Sequence, residues 1–235
     1  MSEKQPLLPR ALGRVYVEDP RDKQFPMSSA LPETTGERTY RYWWANGWWG
    51  DQGATSQCVA YSWMHWVEDG PITHSKTRKA NTGPLHDPAY LYKEAQKVDA
   101  WVGENYEGTS VRAGAKILMK LGVIGGYRWA WDSNTVVQAL LTTGPVVVGT
   151  WWYRDMFFPK KDPKTGKMMI TATGGKVGGH AYLLNGVNLS KGLIRIKNSW
   201  GRAFGDHGFA WISIQDMDLL IKDQGEACLA MEIKT

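Results

Sequence analysis

The chain has 235 residues, 43% apolar and 22% charged, with a net charge of +5, 13 tryptophans and only two cysteines. This length gives one large domain or two small lobes sharing a core, and two cysteines cannot build a disulfide framework. No apolar run approaches the roughly 18 residues of a membrane helix. The start, MSEKQPLLPRALGRVY, lacks the apolar stretch of a secretory signal. Lysines and arginines are scattered, so neither a membrane nor a nucleic acid is an expected partner.

Residues 1–40 carry Pro, Gly and charges with little periodicity and read as an extended arm, with one short strand at 13–17. No long helical inhibitory segment is expected there. Trp43, Trp44, Trp48 and Trp49 follow. Indoles bury large areas, so packing is their expected role, with Trp48 and Trp49 also candidates to line a groove. Residues 56–68 read as a helix capped by Ser56 and ended at Glu68-Asp69-Gly70, with Val59, Ala60, Trp63, Trp66 and Val67 as its apolar face. A polar loop spans 71–87. Helices are predicted at 88–100, at 109–121 with Gly122 closing it, and at 133–142 before Gly144-Pro145.

The pattern then changes. The run 145–152 is β-branched and aromatic and reads as a strand, 162–167 as a turn, and 180–187, 192–197, 208–214 and 228–233 as further strands. Helices dominate the first half and strands the second. The expected class is α+β, with a helical lobe over about 41–130 and an antiparallel β lobe over about 131–235.

Three segments carry chemistry in the order thiol, imidazole, carboxamide: Cys58, His180 and Asn198. Cys58 falls in the first turn of its helix, where unpaired N–H groups and the dipole favour a thiolate. Among five histidines, His65 sits seven residues along the same helix, about 10 Å away and out of hydrogen-bond reach. His74 and His86 lie in polar loops, and His207 lies in a tight turn. His180 opens an apolar strand after two glycines and is the expected base. Asn198 ends a strand and is placed to orient the imidazole. Gln52, six residues before the thiol, offers an amide donor which, with the Cys58 N–H, would make an oxyanion hole. For Cys58 the rival is a small buried residue, for His180 a core histidine, and for Asn198 and Gln52 ordinary turns.

At these residues the chain resembles the papain-like cysteine peptidases. Asp51-Gln52-Gly53 matches the family's D-Q-G, Cys58 its nucleophile, and Ala60-Tyr61-Ser62 its A-[FY]-S. Gly179-His180-Ala181 matches [DGN]-H-A, and Asn198-Ser199-Trp200-Gly201 is identical to N-S-W-G. The resemblance covers about 41–235. It implies a papain-like fold with the active site between two lobes, Cys58, His180, Asn198 and Gln52 as catalytic residues, and Gly108, Thr109, Gly179 and Trp200 at a substrate groove. It implies a protein or peptide substrate and no cofactor or metal. Thr55, Ser56-Gln57, Val59 and Thr109 depart from the family's usual residues. The absent disulfide framework and the unpaired Cys228 point to a reducing, cytoplasmic setting. Two alternatives use the same residues: an amidase of cell-wall peptides, with the tryptophan cluster stacking on sugars, and a non-catalytic peptide-binding relative.

Overall fold

A computed structural model describes residues 10–33, 36–43, 48–70, 86–103 and 106–233. Its α-helices are α1 (Cys58–Asp69), α2 (Pro88–Gln96), α3 (Val111–Lys120), α4 (Ser133–Thr142) and α5 (Ile214–Lys222). Its strands are β1 (Tyr40–Tyr42), β2 (Ile124–Ala130), β3 (Val146–Tyr153), β4 (Lys160–Lys161), β5 (Met168–Met169), β6 (Lys176–Asn188), β7 (Leu193–Lys197), β8 (Phe209–Ser213) and β9 (Glu226–Glu232). The strands form one sheet in the order β2-β9-β3-β6-β7-β8-β5-β4, with β1 on β6. Every pairing is antiparallel except the single bridge between β5 and β8. The protein is α+β, as its halves predict. None of the described helices is long and apolar enough to cross a membrane.

Local chemistry starts most of the helices. Asp87 and Asp132 accept N–H bonds at the starts of α2 and α4, and Ser110 and Ser213 do so for α3 and α5. The helix α1 is different. Its cap is Gln57, whose side chain makes no capping bond, and the predicted cap Ser56 instead donates its hydroxyl to Glu107. Tertiary packing holds α1 instead. Every residue but Tyr61 is buried, so the five-residue apolar face understates it. One side meets Val147, Ala181, Leu183 and Cys228 of the sheet, and Ala60 and Met64 meet Leu91, Ala95, Ala113 and Ile117 of α2 and α3. A helix buried all round this way is central to the core.

Several elements depart from the sequence expectation. The predicted strand 13–17 is extended chain with one bridge, Arg14 to Thr109. The helix predicted to 100 stops at Gln96. The strand β2, in the helical half, pairs along its length with β9. Helix α5 was not anticipated.

Candidate active site

Cys58 is the first residue of α1 and is fully buried. Its sulfur lies 3.4 Å from the Ala181 amide, which donates to it. The neighbouring His180 sits in β6 opposite Thr150 of β3. The β6–β7 register pairs Leu183 with Lys197, so β7 leaves the sheet at Asn198, beside His180. His180 Nε2 and Asn198 Oδ1 are 2.8 Å apart. The same oxygen accepts the Ser199 N–H at 2.8 Å. A backbone N–H only donates, which fixes Oδ1 as the acceptor and therefore puts the imidazole proton on Nε2. Nδ1, buried and without a hydrogen-bond partner among the described residues, keeps the basic lone pair.

The imidazole is enclosed by aromatics. Trp200 stacks on it at 4.8 Å between centroids and 27° between planes, and Trp152 meets it edge-on at 4.8 Å. Trp200 is 2% exposed. Its edge reaches a small cavity of about 150 Å³ shared with Arg10, Phe157 and Phe204. This wall keeps water from the His180–Asn198 bond.

Gln52 is joined to the same cluster. Its N–H donates to the Ser199 carbonyl at 2.9 Å, and its Oε1 accepts the Ser199 hydroxyl at 2.6 Å. That leaves Nε2 as donor, and it reaches the Thr55 carbonyl at 2.6 Å and the Ala11 carbonyl at 3.1 Å. The structure thus gathers Gln52, Cys58, His180 and Asn198 into one buried site.

Gly108, Thr109 and Gly179 stand on the two walls beside it, and the N-terminal arm runs between them. Gly13 and Arg14 donate their N–H groups to the Gly179 carbonyl at 3.0 Å each. Val15 N–H donates to the Thr109 carbonyl at 2.9 Å, and Thr109 N–H to the Gly13 carbonyl at 3.0 Å. A Cβ on Gly179 would overlap the Arg14 carbonyl oxygen. With the arm in place Cys58 and His180 are both fully buried. Burial pushes the Cys58 thiol up to about 12, against the smaller opposing effect of the Ala181 and Val59 amides. Burial also holds His180 down to about 4, against the Asn198 hydrogen bond. Both shifts favour the neutral thiol and neutral imidazole.

The other candidates are spent elsewhere. His65 is buried beside Lys197, and His86 pairs with Glu68 at 2.9 Å. His207 is an exposed left-handed turn residue at φ 52°. His74 and Trp44 lie outside the described residues. Trp48 packs on Tyr61 and His65, and Trp49 on Phe209 with the Lys197 ammonium 4.6 Å from its ring.

Two charge pairs escaped the sequence reading. Lys197 donates to both Asp69 oxygens at 2.9 and 2.8 Å, with both side chains 0% exposed. Arg14 donates to Glu226 at 2.8 Å, also in the interior. Each joins residues more than a hundred positions apart, and no local pattern announces such a pairing.

Known structures share this architecture. Xylellain, a cysteine protease from Xylella fastidiosa, superposes with a TM-score of 0.71 at 19% identity over 100% of both chains. The digestive procathepsin L2 proteinase of Tenebrio molitor larval midgut gives 0.64 at 16% identity, covering 97% of this chain and 81% of its own. The bromelain protease of Ananas comosus gives 0.57 at 15% identity, covering 83% and 100%. No family model and no curated protein sequence matches the chain. The fold is papain-like.

Proposed function

We propose that the protein is a cysteine-type peptidase that hydrolyses peptide bonds in a protein or peptide substrate. The observation that carries this reading is the coupling of His180 Nε2 to Asn198 Oδ1 at 2.8 Å, with the thiol of Cys58 against the next residue's amide. The solved structures that share the fold are described as cysteine proteases, which supports the same reading.

In this mechanism the Cys58 proton passes to His180 Nδ1, and the thiolate attacks the scissile carbonyl. The oxyanion takes hydrogen bonds from Gln52 Nε2 and the Cys58 backbone N–H. His180 then protonates the leaving amine, giving a thioester on Cys58. Next it takes a proton from the water that attacks this ester, and returning that proton to sulfur frees the acid product. Asn198 holds the imidazole tautomer throughout, and Trp200 keeps its hydrogen bond dry. Gly108, Thr109 and Gly179 offer backbone groups to a bound peptide. Trp48 and Trp49 are engaged with Tyr61, His65 and Phe209, which favours a peptide over a sugar-bearing substrate.

An electrophilic peptide epoxide tests the assignment. Labelling should map to Cys58 and be fastest in wild type, slower in Asn198→Ala and slowest in His180→Ala. Losing the base costs more than losing the group that orients it. Equal rates in all three chains would remove His180 from thiol activation.

A further inference from the structure

A cavity of about 430 Å³ lies away from the catalytic groove, between α3 and β2, in the size range that encloses small organic ligands. Helix α3 supplies one wall. Val111, Ala115 and Leu118 face the core, which turns Arg112, Lys116 and Met119 to the other side and toward the cavity. Strand β2, the edge of the sheet, supplies the floor. Gly125 has no partner on β9, because the ladder shifts register between Ile124 and Gly126. A Cβ at Gly125 would meet only Ile233, at 3.6 Å, and one at Gly126 only the Arg128 head, at 3.7 Å, so the floor is left bare. Phe25 closes a third side. Its carbonyl takes the Trp129 N–H at 2.9 Å, which fixes it to β2. Phe25 is 45% exposed and Met119 43%.

The charges in this cavity are unequally matched. Arg21, Arg112, Lys116 and Arg128 share it with the carboxylates of Asp19 and Asp22. Both carboxylates are already engaged. Asp19 is held by Arg21 at 2.6 Å and by Arg112 at 3.5 Å, and Asp22 by Arg112. Lys116 and Arg128 meet no carboxylate among the described residues. Their heads donate to the Val98 carbonyl at 3.3 Å and to the Tyr127 carbonyl at 3.0 Å. An ammonium has three donors and a guanidinium five, so both side chains keep donors to spare. The apolar surface beside them is Phe25, Met119 and the Tyr127 ring, with Arg128 Cζ 5.7 Å from the Phe25 centroid. An apolar hollow with two uncompensated cations in its lining matches an anion carried on an apolar body. Asp19 and Asp22 repel a highly charged ligand, which favours a single carboxylate.

We propose that this cavity binds a small organic acid, with its carboxylate held by Lys116 and Arg128 and its aromatic or aliphatic body against Phe25, Met119 and Tyr127. None of these residues belongs to the Cys58 site, so the proposal goes beyond the peptidase reading and is tested without catalysis. The bound acid touches Phe25 and α3 together, and it stabilises the folded chain by linkage.

The test is calorimetric titration of the full chain with 3-phenylpropanoate, beside 3-phenylpropanamide, acetate and inorganic phosphate. The acid should bind at least about tenfold tighter than the amide, which keeps the body and loses the charge. It should also bind tighter than acetate, which keeps the charge and loses the body. Lys116→Met and Arg128→Met, each checked by circular dichroism, should weaken binding of the acid and leave the amide unchanged. If Arg128→Met does not fold, Lys116→Glu carries the same comparison, because Lys116 is exposed. Thermal unfolding should shift upward with the acid in wild type and not in Lys116→Glu. N-acetylphenylalanine, which stands for the carboxyl end of a peptide, separates two sources of the same group. Tighter binding than 3-phenylpropanoate assigns the cavity to peptide ends, and weaker binding assigns it to free acids; both uphold the carboxylate chemistry. No binding of the acid, equal affinity for acid and amide, phosphate binding as tightly as the acid, or affinity unchanged in the Lys116 and Arg128 variants overturns the proposal.

Discussion

Turnover of any peptide cleaved by the wild type should fall by at least about 10⁴-fold in Cys58→Ser, with the fold unchanged. The reason lies in the partner of the base. His180 pairs with the neutral amide of Asn198 and not with a carboxylate, so that partner adds no charge to stabilise an imidazolium. A thiol tolerates this because it loses its proton far more readily than a hydroxyl in the same place. A serine hydroxyl does not. The replacement is sterically mild, and a hydroxyl at this position still accepts from the Ala181 amide that now meets the sulfur. Steady-state rates and circular dichroism check both halves. Activity above a few per cent of wild type would mean that Cys58 is not the nucleophile.

The second large effect is on stability. Asp69, at the C-terminal end of α1, holds Lys197, and Asn185 adds a longer bond at 3.4 Å to the same carboxylate. Lys197 immediately precedes Asn198, so this pair ties the far end of the Cys58 helix to the strand that leads into Asn198. Asp69→Ala leaves an ammonium buried without its main counter-charge and should cost about 3–5 kcal/mol in urea unfolding. Burial already lowers the Lys197 pKa from its ordinary 10.5, and Asp69 offsets part of that. Without Asp69 the folded pKa falls further, while the unfolded value does not change. Between the two values the unfolded chain binds more protons, so the stability of Asp69→Ala should rise as pH rises toward 10.5. Asp69→Ala with Lys197→Met should recover most of the loss. If it does not, or if the single variant loses under about 1 kcal/mol, the pair is not what pins α1 to β7.

How much of this was legible depended on whether the information was local. Helix α4 is read from its sequence because Asp132 caps it and Gly144-Pro145 stops the run beyond it. The motif residues stand out in the sequence because their types and order are themselves the signal. Helix α5 was legible but passed over. Ser213 caps it, and Met217, Leu220 and Ile221 give a helical spacing. Strand β2 was not legible. Ile-Gly-Gly-Tyr-Arg-Trp-Ala has two glycines and no alternation, and it is a strand because β9 pairs with it. Ser56 had the right chemistry for a cap, but Glu107, distant in sequence, takes its hydroxyl. Arg14 falls in the predicted strand 13–17 of the arm, where nothing local marks its partner. Only the folded chain brings it to Glu226, 212 residues away.

The central claim is that Cys58 carries the acyl group between two half-reactions. It is tested most directly by mixing the protein with an activated peptide ester, quenching in acid and measuring intact mass. The experiment is run on wild type and on Gly13→Leu, in which the arm cannot seat against Ser56. The account predicts one acyl adduct, mapping to the Cys58 peptide, released by hydroxylamine as a thioester and absent in Cys58→Ser. Ester turnover with no adduct, or an adduct on Cys228 or any other residue, would contradict it.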